Sequence, residues 1–294
     1  LGRHSAQAGN REIAGQTHHH PAVAFVPVQF CGFDHRRETG PISVARQAET
    51  AHLRDKTPHI RKGFDNGMNK PATRIAIYDM DKTVTRRATY NGFLIHMMLE
   101  RSPWRAAFLP ALPVGLGLYA TRLWDRGKLK TFAQKLLMGR RVRKDELVRH
   151  LESHADLVLG RNIYPQAQKR IAREKAEGYI HVLATASYRL YVEAIGERLG
   201  FDHILATDLA TSDTGHVLAR IDGKNTFDAA KLDKVKAWMA SQGLQRENCH
   251  IRAYSDHVSD APLLGWADEA YAVNPHARLA KLALAKGWSV IDWR

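Results

Sequence analysis

Two carboxylates one residue apart, Asp79 and Asp81, with a hydroxyl at Thr83, are the residues of this chain best suited to chemistry. Acids this close repel each other unless a positive group sits beside them. A divalent cation meets that need, and a ligand set made only of oxygen favours magnesium. An acidic turn would give the same pair, because Asp is common in turns. Three further segments therefore decide the matter.

Thr185 ends an apolar stretch, and a helical pattern begins at Ser187. A hydroxyl beside the free N–H groups of a helix start makes a phosphate cradle, although Thr there is also an ordinary helix cap. Asp256 and Asp260 follow a second apolar stretch, 249–254. Asp256 would complete a metal site with Asp79, and Asp260 would orient a neighbour or a lysine. Several acids and a phosphate need a fixed cation. Lys231 is the candidate, with Lys234 and Lys224 competing for the role.

The elements that must position these groups follow from periodicity. Residues 75–78 read as a strand buried on both faces, with Asp79 at its end. Ligands of open α/β sheets bind just beyond such ends. Strands are expected at 180–185, 203–207, 249–254, 269–273 and 288–291. A hairpin is expected across 207–221, around Asp213-Thr214-Gly215. Helices are expected at 88–101, 127–138, 142–159, 163–177, 187–199, 227–240 and 275–286. Strands alternating with helices give an α/β fold with a doubly wound, Rossmann-like parallel sheet. Some ninety mostly helical residues separate the first two strands, too many for one crossover, so a helical domain is inserted there. The expected division is 1–67 as an extension, 68–87 and 161–294 as the core, and 88–160 as the insertion.

The stretch 104–124 is strongly apolar but holds Pro110, Pro113, Gly115 and Gly117. Arg101 and Arg105 flank one side, Arg122 and Arg126 the other. It reads either as a bent helix pair in a small helical domain or as a segment touching a membrane surface. Residues 1–67 hold 7 of the 16 histidines, including His18-His19-His20, and the first methionine is Met68. They are expected to be a disordered or non-native extension, with a histidine-rich metal tail as the alternative.

The 294 residues are 44% hydrophobic and 25% charged, as in ordinary globular proteins. Two cysteines cannot build a disulfide framework and point to a reducing, cytoplasmic setting. The net charge of +14 is scattered, with no nucleic-acid-binding signature, so no nucleic-acid partner is expected. A positive field suits a phosphorylated substrate or an anionic membrane surface. Association with the inner membrane through 104–124 stays open.

The order Asp79-x-Asp81-x-Thr83, Thr185, Lys231, Asp256-x-x-x-Asp260, each at a strand end or on its expected helix, resembles the haloacid dehalogenase superfamily of phosphatases. The insertion resembles that superfamily's helical cap. Ala184-Thr185-Ala186-Ser187, Tyr254-Ser255-Asp256, Ala261-Pro262-Leu263-Leu264 and Ala272-Val273-Asn274-Pro275 are similar to its phosphoserine-phosphatase-like branch. The resemblance covers about 74–292. Lys82 and Asp228 depart from it, standing where glycine is usual. So do His257, where serine is frequent, and Thr226, where the branch has cysteine.

The resemblance implies a magnesium-dependent phosphomonoester hydrolase. Asp79 would be the nucleophile, Asp81 the general acid and base, and Lys231 the cation holding the phosphoryl oxygens. Thr185, Ser187 and Thr83 would bind substrate or fix the loop. Asp79, Asp81, Asp256 and Asp260 would surround Mg2+. The substrate would be a phosphorylated small molecule such as phosphoserine. A lipid such as phosphatidylglycerophosphate is the alternative, received by 104–124, and a silent regulatory protein on the same fold is a third reading.

Overall fold

Strand β1, Thr73–Tyr78, runs through the middle of an eight-stranded sheet. The computed structural model describes residues 72–294, so the expectations for 1–67 lie outside the described residues. Side chains alternate across a strand. Accordingly, Ala76 and Tyr78 enter the core on one face, while Ile75 and Ile77 enter it on the other. All four are fully buried, which explains why the run is apolar without alternating.

Parallel neighbours flank β1: β3 (Ile180–Tyr188) on one side and β6 (Cys249–Ser255) on the other. Beyond β6 come β7 (Glu269–Val273) and β8 (Ser289–Ile291), also parallel. Beyond β3 comes parallel β4 (His203–Thr211), then antiparallel β5 (His216–Asp222). Helices α5 (Pro165–Ala176) and α6 (Arg189–Arg198) bury Ile171, Tyr191 and Ile195 in the core that holds Tyr78. Helices α7 (Ala229–Ser241), α8 (Ala261–Trp266) and α9 (Ala277–Lys286) bury Val235, Leu264 and Leu279 in the core that holds Ile77. This is the doubly wound arrangement expected.

Between β1 and α5 the chain forms α1 (Thr89–Arg101), a 3₁₀ helix (Pro103–Ala111), α2 (Leu112–Ala120), α3 (Arg126–Leu137) and α4 (Lys144–Arg161). Phe93, Met97, Leu137 and Leu147 from these helices join the Tyr78 core. One strand was not anticipated. Arg141–Arg143 forms β2 and pairs antiparallel with β5, so the helix expected from 142 begins only at Lys144. A three-residue strand carries no readable period, and its pairing partner lies some seventy residues away. A second correction concerns β3, which runs on to Tyr188, so α6 starts at Arg189 rather than Ser187. Thr185 and Ser187 are therefore strand residues and not a helix cap.

The apolar stretch 104–124 is split between the 3₁₀ helix and α2, as its prolines require. Gly115 is its buried point: a Cβ there would lie 2.6 Å from the Phe132 ring. Four of its large side chains face outward, Trp104 62%, Phe108 40%, Val114 61% and Leu123 68% exposed, while Leu109 and Leu112 pack against the core. No helix among the described residues is long and apolar enough to cross a membrane.

Candidate active site

The carboxyl ends of β3, β1 and β6 lie side by side, and each delivers part of one cluster. The end of β1 supplies Asp79, whose backbone N–H donates to Tyr254 O of β6 at 2.9 Å. The chain then makes one wide turn, Met80–Val84, closed by Thr85 N–H donating to Met80 O at 3.0 Å. Lys82 sits in this turn at φ 64°, a left-handed conformation that costs glycine least. That is the physical reason glycine suits the position. Asp228, the other departure of this kind, also lies at positive φ, 57°.

Lys231 comes from α7 and reaches the cluster almost fully buried. Its Nζ donates to Asp79 Oδ1 at 2.7 Å and to Asp260 Oδ2 at 2.7 Å. Burial alone would lower this ammonium, but Asp260 and Asp79 hold it charged. Burial pushes the Asp79 carboxyl up to about 8, with Lys231 opposing and Asp260 and Asp256 adding to the rise. Lys234 points elsewhere, to Asp208 at 2.8 Å and to Ala206 O. The two lysines share one face of α7 nearly a turn apart, and only Lys231, in the first turn, reaches the site.

Thr83 is fully buried and joins two of the acids. Its hydroxyl accepts from Asp256 N–H at 3.0 Å and lies 3.3 Å from Asp79 Oδ2. Asp260 takes a second hydrogen bond from Ser255 Oγ at 2.6 Å. Asp81 turns away from this cluster: its Oδ1 accepts from Thr89 N–H and Oγ at 2.7 and 2.8 Å, and its Oδ2 from Ser187 Oγ. Thr185 Oγ accepts from Ser187 N–H at 3.1 Å, bending the end of β3 back on itself. Asp79, Asp81, Thr83, Thr185, Ser187, Lys231, Asp256 and Asp260 thus gather at these three strand ends, and Lys234 does not. Thr83, Thr185 and Ser187 are almost wholly buried, and each hydrogen-bonds another site residue.

The cluster has a shortage of positive charge. Asp79, Asp256 and Asp260 share one lysine. The Asp256 carboxylate has only long contacts, to Thr83 Oγ at 3.5 Å and His276 Nε2 at 3.5 Å, and Asp260 Oδ1 is buried with no hydrogen-bond partner. Free carboxylate oxygens beside each other fit a hard divalent cation. Among the described residues no three His, Cys, Asp or Glu side chains converge into a complete metal cage. A cation here would be held by Asp79 and Asp256 together with backbone, water or substrate oxygens, the open style of coordination magnesium prefers. Both oxygens of Asp81 are engaged by hydrogen bonds, and Asp260 Oδ2 is held by Lys231 and Ser255, which leaves only Asp260 Oδ1 open.

Sequence reasoning missed Lys130. It stands on the buried face of α3 with Leu129, Ala133, Gln134 and Leu137. Its Nζ donates to Ala186 O at 2.7 Å and lies 4.3 Å from the Tyr188 ring centroid and 5.1 Å from that of Tyr90. Burial, with Arg126 nearby, pulls it down to about 7. Its signal was a lysine at a core position of a helical repeat.

Comparison with known proteins places the chain in a family. A family described as haloacid dehalogenase-like hydrolase matches residues 76–265. A phosphoserine phosphatase of Mycobacterium tuberculosis is 31% identical over 242 residues, 81% of this chain and 76% of that protein. An "inhibition of morphological differentiation protein" of Streptomyces azureus is 28% identical, over 79% of this chain and 82% of its own. The solved structure of a Bordetella pertussis protein of unknown function superposes with TM-score 0.69 at 27% identity, over 76% of this chain and 100% of that one. A substrate-bound phosphoserine phosphatase shares the fold, with TM-score 0.50 at 15% identity over 74% of this chain and 92% of that one. The chain belongs to the haloacid dehalogenase-like hydrolase family and is one of its phosphatases.

Proposed function

We propose that this phosphatase hydrolyses a phosphomonoester through a covalent phosphoryl-aspartate on Asp79. The observation that carries the reading is the different settings of two acids two positions apart. Asp79 is fixed on Lys231 beside Asp256, while Asp81 is held apart on Thr89 and Ser187. Phosphoryl transfer asks mainly for positioning and charge neutralisation. An Asp79 oxygen attacks phosphorus, its bond to phosphorus forms, and the ester P–O bond breaks. Asp81 gives its proton to the departing alkoxide. Asp81 then takes a proton from water, whose oxygen attacks phosphorus and releases Asp79 and inorganic phosphate. Lys231 and the Thr185 turn hold the phosphoryl oxygens, and Thr83 keeps Asp79 and Asp256 in register. Mg2+, when bound by Asp79 and Asp256, offsets the repulsion between carboxylate and phosphate. The helical insertion, 88–160, acts as a cap that excludes water and selects the substrate.

A soluble ester such as phosphoserine is the first substrate to test, given the relative of that activity. A second reading, a lipid phosphomonoester processed at an anionic membrane surface, is favoured by one observation. Trp104, Phe108, Val114 and Leu123 are all exposed on one stretch that carries no acid and has Arg105 and Arg122 near its ends. Magnesium-dependent phosphate release is therefore measured from O-phosphoserine, from phosphatidylglycerophosphate in mixed micelles and from p-nitrophenyl phosphate, with Asp79→Asn as control. The variant is expected to fold normally and lose at least about 10³-fold in kcat. Normal turnover by Asp79→Asn removes the covalent route. Preference for the lipid assigns 104–124 to acyl-chain reception.

A further inference from the structure

A cavity of about 900 Å³ is bounded by the end of α2, by α3 and by β5. Its wall carries Arg126, Lys128, Lys135, Arg140 and Arg220 against a single acid, Asp125. That acid is already used, since its Oδ1 accepts from Lys128 N–H at 2.8 Å and caps α3. None of the five cations makes an ion pair with a carboxylate among the described residues. Neighbouring arginines on the same insertion do find acids: Arg101 pairs with Glu146 and Arg143 with Asp145. Like charges gathered without counter-charge repel one another, and an anion relieves this.

A short chain of hydrogen bonds links the cavity to the reaction site. Asn225 lines it, and Asn225 Oδ1 lies 3.0 Å from Thr207 Oγ, which is 2.9 Å from Ala186 O, between Thr185 and Ser187. Arg126 stacks its guanidinium 4.6 Å from the Phe227 ring centroid, four residues before Lys231. Its charge also reaches Lys130 and His257, next to Asp256. Tyr119 and Ile221 give the cavity an apolar side suited to a linking carbon chain.

We infer that this basic cleft seats a second anionic group, a phosphate or a carboxylate, carried on the leaving-group end of the substrate; the inference rests on the phosphatase reading above. The scissile phosphate lies at Asp79 while the remote anion neutralises Arg126, Lys135 and Arg140. Binding energy from that remote group fixes the ester in line with the nucleophile. A phosphomonoester without a second anion leaves the cleft unmatched.

The test uses the full chain and non-hydrolysable probes, so it does not depend on turnover. Calorimetric titration compares α,ω-alkane bisphosphonates of three to eight carbons with alkyl monophosphonates and ω-carboxyalkyl phosphonates of the same lengths. At a matching length the doubly anionic probe is expected to bind about tenfold tighter, with the gain shrinking as salt rises. Whichever second group gives the gain identifies phosphate or carboxylate as the partner. Lys135→Gln and Arg140→Gln remove the gain. Lys169→Gln, which deletes the same charge on the exposed side of α5, keeps it. Equal affinity at every length, or a gain that survives in Lys135→Gln and Arg140→Gln, overturns the inference. Release of p-nitrophenol from p-nitrophenyl phosphate on the same preparations tests the phosphatase reading separately. A retained binding gain with no turnover sinks that reading and upholds the anion cleft.

Discussion

Ser187 Oγ donates to Asp81 Oδ2 at 2.7 Å across 106 positions of sequence, joining the end of β3 to the loop after β1. Ser187 is itself held by Thr185, whose hydroxyl accepts from its N–H. The contact fixes the Asp81 carboxylate while leaving Asp79 to Lys231. Ser187→Ala is expected to lower kcat about tenfold with a smaller change in KM, and to displace the pH profile of kcat. Thr replacement at the same position should restore part of the rate. An unchanged pH profile would show that Ser187 does not position the proton-transfer group.

The two lysines three positions apart on α7 should behave differently. Lys231 is buried between Asp79 and Asp260, so Lys231→Met leaves two acids without their cation. A loss of roughly 3–5 kcal/mol of stability is expected for breaking such a buried pair, along with activity. Lys234 is partly exposed beside Asp208, and Lys234→Met should cost no more than about 1 kcal/mol. Urea unfolding of both variants checks this, and equal losses would contradict the assignment.

Glu174 predicts a pH dependence away from the reaction site. It is fully buried and accepts hydrogen bonds from Tyr78, Tyr254, Arg170 and Arg252. Burial alone would raise its carboxyl. Instead His181 at 3.8 Å, the two tyrosine hydroxyls and the Arg252 guanidinium hold it down to about 2. A depressed folded value stabilises the protein above the unfolded carboxyl's range, and that contribution disappears as pH falls toward 2. At neutral pH Glu174→Gln should cost about 3 kcal/mol, and the difference from the parent should narrow steadily below pH 5. Unfolding midpoints of both proteins at pH 7, 5, 4 and 3 measure it. A constant gap would disprove the ionised cluster.

Asp228 stands at φ 57° and ψ −135°, a conformation almost reserved for glycine. Its carbonyl accepts from Lys231 N–H at 3.0 Å and so begins the helix that carries the site lysine. Asp228→Gly should raise stability by about 1 kcal/mol, relief of strain outweighing the added freedom of the unfolded chain. Thermal unfolding reads the sign directly.

Local pattern and tertiary structure divided the work unevenly. β1 was legible because four consecutive apolar residues must be buried on both faces, and Asp79 followed as the residue at its end. The acids at 256 and 260 were legible because they follow the strand pattern of β6, whose Cys249, Ile251 and Ala253 are buried. Strand β2 was not, because Arg141–Arg143 owes its form to pairing with His216–Leu218. Thr185 and Ser187 were placed at a helix start because a run of strand formers and a helix cap look alike over three residues.

From the sequence alone came the ends of β1 and β6, and with them which acids could meet; period and burial are written in neighbouring residues. Only the tertiary structure chose Lys231 over Lys234, set Asp81 on Ser187, put Lys130 beside the site and gathered five unpaired cations in one cleft. Those relationships depend on contacts between distant segments, and no local rule of sequence encodes the distance between side chains a hundred residues apart.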